Sequence, residues 1–117
     1  MVTPDAERSM STFLGATSEL EDSALREDAI RNAKVYYMEG YLAAQTGGLA
    51  AALKGRAIAR AAGVKLATTL SDMSMINFCR AGLEAMVGGE DTGKLDYLFC
   101  NEEEAQVWCD AKDIETV

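Results

Sequence analysis

The chain has 117 residues, 49% hydrophobic and 26% charged. This composition excludes a disordered, collagen-like or low-complexity protein and fits one small domain or part of a larger one. With 19 acidic against 11 basic residues the net charge is −8, which argues against nucleic-acid or anionic-membrane binding through a broad basic surface.

Arg8–Ala16 (RSMSTFLGA) mixes β-formers with small residues and predicts a first strand. Glu19–Ala33 is strongly polar with sparse apolar points at Leu20, Leu25 and Ile30, and predicts a surface helix or two short helical turns. Lys34–Glu39 (KVYYME) holds a continuous apolar run, the pattern of a strand covered on both faces. Gly40 ends it. Thr46 is then the expected cap of a helix over Gly47–Ala62. On that helix Leu49, Leu53, Ala57 and Ala61 recur every four residues as the buried face, while Lys54, Arg56 and Arg60 are expected in solvent. Gly63 sits where a helix commonly ends.

Val64–Leu70 predicts the next strand. Ser71, Asp72 and Ser74 offer capping oxygens for a helix whose core face is Ile76, Cys79, Leu83, Met86 and Val87, with Gly88-Gly89 as its stop. Asp96–Cys100 (DYLFC) reads as a short buried strand. Asn101 to about Asp110 reads as a helix anchored by Val107 and Trp108, followed by a polar tail expected to fray. Strands alternating with helices predict an α/β fold, a parallel sheet with flanking helices. Ligands collect at the carboxyl ends of strands in such sheets. Those ends are Gly40–Leu42, Ser71-Asp72 and Cys100-Asn101. The short lead-in to the first predicted strand and the stop after a helix predict a chain truncated at both ends, with edges that an oligomer or a complementing chain would cover.

The sequence has no histidine. Ser-His and Cys-His nucleophile pairs and most zinc sites are therefore excluded, and proton transfer falls to carboxylates, Lys, Tyr or Cys. Cys79, Cys100 and Cys109 lack a CxxC spacing and predict buried, reduced thiols in a cytoplasmic protein. Met1–Met10 carries Asp5 and Glu7 and no apolar core, so it is no secretory signal. The uncharged run Gly40–Leu53 is too short and polar to span a bilayer.

Asn101-Glu102-Glu103-Glu104 follows a strand and opens a helix. It reads either as a capping box or as a site where Glu104 organises a hydrated Mg²⁺. Ser71 and Asp72 read as caps or as partners of a sugar hydroxyl, and Arg8 as a surface charge or a phosphate-holding fork. Tyr41 and Leu42 read as core or as a platform for a flat ligand. Gly47-Gly48 and Gly88-Gly89 belong to neither GxxxxGK[ST] nor GxGxxG.

In order, Arg8-Ser9-Met10 through Leu14-Gly15-Ala16, Tyr37-Met38-Glu39-Gly40-Tyr41-Leu42, Ala59–Lys65, Thr69-Leu70-Ser71-Asp72 and Asp96–Ala105 resemble the middle of the PfkB family of carbohydrate and nucleoside kinases, on the adenosine-kinase-like branch. The resemblance implies a partial ribokinase-like fold and an ATP- and Mg-dependent transfer to a sugar or nucleoside hydroxyl. It implies that Asn101 and Glu104 match the family's NxxE motif, which organises Mg²⁺ and the ATP phosphates. It implies that Arg8 closes over the transferred phosphoryl group and that Thr12, Leu14, Tyr41 and Leu42 lie near the substrate. The family's N-terminal glycine pair and its C-terminal GAGD, whose Asp is the base, are absent here, and Met73 stands where relatives often have proline. The resemblance therefore implies a central part of such a kinase, inactive alone. The alternative is a free-standing, non-catalytic α/β ligand-binding or interaction module.

Overall fold

Three of the apolar runs become strands: β1 (Val35–Met38), β2 (Lys65–Thr69) and β3 (Tyr97–Phe99). In the computed structural model, which describes residues 1–6, 8–89, 92–113 and 115, they lie in the order β1-β2-β3, all parallel. The register pairs Val35 with Lys65, Tyr37 with Ala67, Ala67 with Tyr97 and Thr69 with Phe99. Helix α1 (Glu27–Arg31) precedes β1, α2 (Thr46–Ala61) links β1 to β2, α3 (Met73–Val87) links β2 to β3, and α4 (Glu102–Cys109) follows β3. This is the expected parallel α/β sheet with flanking helices. Glu7 of the acidic N-terminal stretch, and Ile114, Thr116 and Val117 of the polar tail, lie outside the described residues.

The first predicted strand does not form. Arg8–Ala16 makes only an isolated antiparallel bridge, Val2 to Arg8, and turns into a 3₁₀ segment at Gly15 (φ +57°). The physical reason is that the described residues leave its apolar side chains uncovered: Phe13 is 95% and Met10 71% exposed. A strand with no neighbour for its hydrogen bonds and no packed face is not stable. The polar stretch that follows forms two short turns, Asp22–Ala24 and α1, as its sparse apolar points suggest. Ile30 is the buried residue of α1 and packs with Ala59, Val64 and Leu66.

Successive strand residues point to opposite faces. Met38, Leu66 and Thr68 are buried on the face that carries the helices. Met38 packs with Ala52 of α2 and Met86 of α3, and the Thr68 hydroxyl donates to the Met38 carbonyl at 2.9 Å. Helix α2 approaches closely through small residues: Gly48, Ala51, Ala52, Gly55 and Ala59 are buried. A Cβ at Gly55 would overlap the Tyr36 ring. This overturns the expected face. Ala57 and Ala61 are exposed, Leu49 and Leu53 are only half-buried, and Arg56 is buried. Close approach to the sheet selects the small-residue stripe over the leucine stripe. Thr46 is also not the cap: Gln45 holds that place, and no side chain caps the helix.

The Arg56 guanidinium points at the end of α3. It donates to the carbonyls of Met86 (3.0 Å), Val87 (3.4 Å), Thr92 (3.1 Å) and Gly93. Met86 and Val87 carry two of the carbonyls that the end of a helix leaves without intrahelical partners. Arg56 therefore caps α3 from another helix, in favourable alignment with the negative end of its dipole. Burial, with Arg60 nearby, lowers its pKa from the usual arginine value.

The third strand is not buried as expected: Tyr97, Leu98 and Phe99 are 45%, 38% and 55% exposed. Among the described residues it pairs only with β2, so its outer edge and one face are open. Cys100 and Cys109 are exposed and Cys79 half-buried, which corrects the expectation of buried thiols. Cys100 follows this open strand and Cys109 closes α4, so neither reaches the core. Among the described residues no helix is long and apolar enough to cross a membrane.

Candidate functional site

The three strands deliver their next residues to one end of the sheet. β1 leads into Glu39-Gly40-Tyr41, β2 into Leu70-Ser71-Asp72, and β3 into Cys100-Asn101. Gly40 lets the first two chains touch: a Cβ there would overlap the Thr69 carbonyl and sit 2.6 Å from Ser71 Oγ. Ser71 itself has φ +73°, a left-handed conformation uncommon for a residue other than glycine. It is held by two hydrogen bonds: its N–H donates to Thr69 Oγ1 and its hydroxyl to Glu39 Oε1, each at 3.1 Å.

Asp72 joins the two strand ends. Its Oδ1 accepts the Met75 N–H at 2.8 Å, capping α3, and its Oδ2 accepts the Tyr41 hydroxyl at 2.8 Å. Of the two readings of Asp72, the structure shows the cap. Partial burial pushes its carboxyl up, but the hydrogen bonds from Met75, Tyr41 and Ser74 outweigh it and hold the pKa below the usual carboxylate value. The Tyr41 hydroxyl is correspondingly raised, first by its bond to Asp72, then by burial and by the charges of Asp72, Glu39 and Glu104. Glu39, Tyr41, Asp72 and Glu104 thus share one electrostatic neighbourhood.

A depressed carboxyl pKa stabilises the fold above its unfolded value, and that contribution disappears as pH falls through the folded value. Replacing Asp72 with asparagine therefore removes stability at neutral pH, and the gap from the native chain should close below about pH 4, the ordinary carboxylate range. Replacing it with alanine should cost about 1 kcal/mol at pH 7 through the lost cap. Urea unfolding at pH 7 and pH 3 checks both, and a gap independent of pH would contradict the assignment.

Asn101 and Glu104 form a complete capping box at the start of α4. The Glu104 N–H donates to Asn101 Oδ1 at 2.8 Å, and Glu104 Oε2 accepts the Asn101 N–H at 3.2 Å. Glu104 Oε1 accepts from Asn101 Nδ2 at 2.9 Å. Glu104 is only 7% exposed. Both carboxylate oxygens already hold a partner, so the donor set suits a hydrated cation reached through water and not a direct metal ligand. Among the described residues no group of three carboxylates or cysteines is arranged to hold a metal directly.

Among the other residues singled out in the sequence, Tyr41 lies at this end of the sheet. Leu42 turns into the core beside Met38, Ala52 and Met86. Arg8, Thr12 and Leu14 lie on the exposed N-terminal segment, and among the described residues no hydrogen bond ties them to the strand ends. Sequence reasoning missed Glu39 and the tie between Tyr41 and Asp72. An acid directly between an apolar strand and a glycine is the signal that marks Glu39.

The chain matches the model of the pfkB family of carbohydrate kinases over residues 1–117. Among solved structures it is similar to a probable sugar kinase from Rhizobium etli CFN 42, with 36% identity and a TM-score of 0.86. It is also similar to the adenosine kinase from Sinorhizobium meliloti, with 34% identity and a TM-score of 0.87. Each match covers 97% of this chain and 34% of the other, so the chain spans about a third of their length. No curated protein matches it at a significant level. With the family model covering the whole chain and both relatives above 30% identity, the chain belongs to the pfkB carbohydrate kinase family.

Proposed function

We propose that this chain forms the central portion of one ribokinase-like domain in an ATP- and Mg-dependent kinase acting on a sugar or nucleoside hydroxyl. The observation that carries the reading is the Asn101–Glu104 capping box at the carboxyl end of β3, in the same electrostatic neighbourhood as Glu39, Tyr41 and Asp72. Mg²⁺ bound with ATP neutralises charge that builds on the transferred phosphoryl group. In this reading Glu104 orients water around that cation, and Asn101 fixes the Glu104 carboxylate. Asp72 and Tyr41 hold the acceptor side of the crevice in shape. Tyr41 borders the acceptor, while Leu42 packs in the core beside Met38. Arg8 as a cation for the phosphoryl group, and Thr12 and Leu14 as further acceptor contacts, rest on the family resemblance alone. The assignment to an adenosine-like acceptor follows the likeness to the Sinorhizobium meliloti enzyme. The free cysteines support a cytoplasmic setting.

The chain alone lacks the aspartate base implied by the GAGD motif, so it should not turn over. A phosphotransfer assay with Mg-ATP and a panel of nucleosides and sugars tests this. No turnover above background is the expected result. Robust turnover that Glu104→Gln abolishes would overturn the central-portion reading, because the chain would then be a complete enzyme.

A further inference from the structure

At the opposite end of the sheet from Asn101 and Glu104, the second halves of α2 and α3 and the connection into β3 border an open cavity of about 590 Å³. That is the size of a small-molecule site. Leu53, Ala57 and Ala85 make its apolar wall, and Arg56, Arg60 and Glu84 are its charged groups. Glycines let both guanidinium groups lie against the connection: a Cβ at Gly88 would strike that of Arg56, and a Cβ at Gly93 that of Arg60. The two cations are close enough for the charge of Arg60 to act on Arg56. Among the described residues neither forms an ion pair with a carboxylate. Glu84 is taken by Arg80, which donates to its Oε1 at 3.1 Å. The cavity thus gathers two cations in a chain whose net charge is −8.

We infer that this cavity binds a small organic carboxylate with an aliphatic body. The two arginines divide the task. Arg56 is buried and donates to four backbone carbonyls, which occupy four of its five N–H groups. It contributes charge to the cavity and no free fork. Arg60 is exposed, and among the described residues no hydrogen bond occupies its guanidinium. Its planar fork matches the two oxygens of a carboxylate. One free fork selects one anionic group. The apolar wall selects the rest of the ligand: a short chain of methylenes covers Leu53, Ala57 and Ala85. A phosphate dianion would lose hydration beside that wall without a second fork to replace it. The cavity lies away from the proposed phosphotransfer crevice, and carboxylate binding here does not depend on kinase activity.

The test is a nuclear magnetic resonance titration of the chain, followed at the backbone amides of Ala57, Ala85 and Gly88. The probes are hexanoate, acetate, hexanol and inorganic phosphate. Hexanoate should bind saturably. Each buried methylene is worth about fourfold in affinity. Acetate, which lacks the body, should therefore bind at least tenfold more weakly, and so should hexanol, which lacks the charge, and phosphate. Arg60→Gln removes the fork and Ala57→Glu sets an acid on the wall, and each should weaken hexanoate at least tenfold. Lys54→Gln removes a cation that pairs with Asp22 outside the cavity and should leave hexanoate binding unchanged. Circular dichroism of each variant confirms that it is folded, and the two cavity variants check one another. No saturable binding of hexanoate, another probe binding as tightly, native affinity in a folded cavity variant, or equal weakening by Lys54→Gln would each overturn the inference. Glu90 and Asp91, next in sequence after Gly89, lie outside the described residues. Hexanoate binding that appears only after Glu90→Gln and Asp91→Asn would give the fork to the chain's own acids and would overturn the inference as well.

Discussion

Arg56→Met should lower the stability of the chain by about 3 kcal/mol, the size expected when a buried, hydrogen-bonded charge is removed from its partners. The substitution keeps the apolar stem but strips four backbone carbonyls of their donor. Two of them close α3 and two belong to the connection that leads into β3. A small domain has only about 5–15 kcal/mol in total, so the loss is a large fraction. Arg56→Lys should recover little. A lysine ammonium is a compact point charge and cannot present the planar fork that meets carbonyls on both sides. Gly88 fits the same geometry: with φ +78° it takes a conformation that side chains resist, and a Cβ there would strike the guanidinium. Urea denaturation at pH 7 measures the effect. A midpoint for Arg56→Met indistinguishable from the native chain would show that water replaces the guanidinium at no cost.

The Arg56 result also marks where reading the sequence stops. The apolar runs of β1 and β3, the cap at Asp72 and the box at Asn101–Glu104 are local, and each was legible because its physics is confined to a few neighbouring residues. The sheet of three parallel strands follows from their alternation with helices. Arg56 was misread because its partners lie about thirty residues further on, and nothing in the window around it shows them. The face of α2 was misread for a related reason. Leucine spacing ranks hydrophobicity, but the sheet selected the residues small enough to come close to Tyr36 and Met38. The segment Arg8–Ala16 has strand-forming residues and no strand, since pairing needs a neighbour that the described residues do not supply. At the carboxyl end of the sheet, the order of motifs singles out Asn101, Glu104 and Tyr41 as candidates. The link through Asp72 joins residues 31 apart in sequence, so spacing alone could not reveal it.

Glu104→Gln should separate the structural role of this carboxylate from its chemical one. Glutamine also serves at the third position of a capping box, and its carbonyl oxygen can accept the Asn101 N–H. One hydrogen bond, from Asn101 Nδ2, is lost together with one charge near the positive end of α4. Glu102 and Glu103 keep the first turn acidic, so the stability cost should stay within about 1 kcal/mol. Activity should respond very differently. In a chimera in which this segment replaces the matching third of the Sinorhizobium meliloti adenosine kinase, phosphotransfer should fall by about 100-fold or more, the scale of losing one preorganised electrostatic group. Raising Mg²⁺ should recover part of it if the carboxylate acts on the hydrated cation. Asn101→Asp gives the complementary perturbation. It keeps an oxygen to cap the Glu104 N–H but sets a second carboxylate against Glu104 Oε1, where the amide donor stood. Like charges at that separation raise a carboxyl pKa, so the activity of this variant should rise with pH over a range where the parent chimera is flat. A loss of the same size in stability and in activity for Glu104→Gln would reduce the carboxylate to a helix cap and remove the main support for a phosphate-side role of α4.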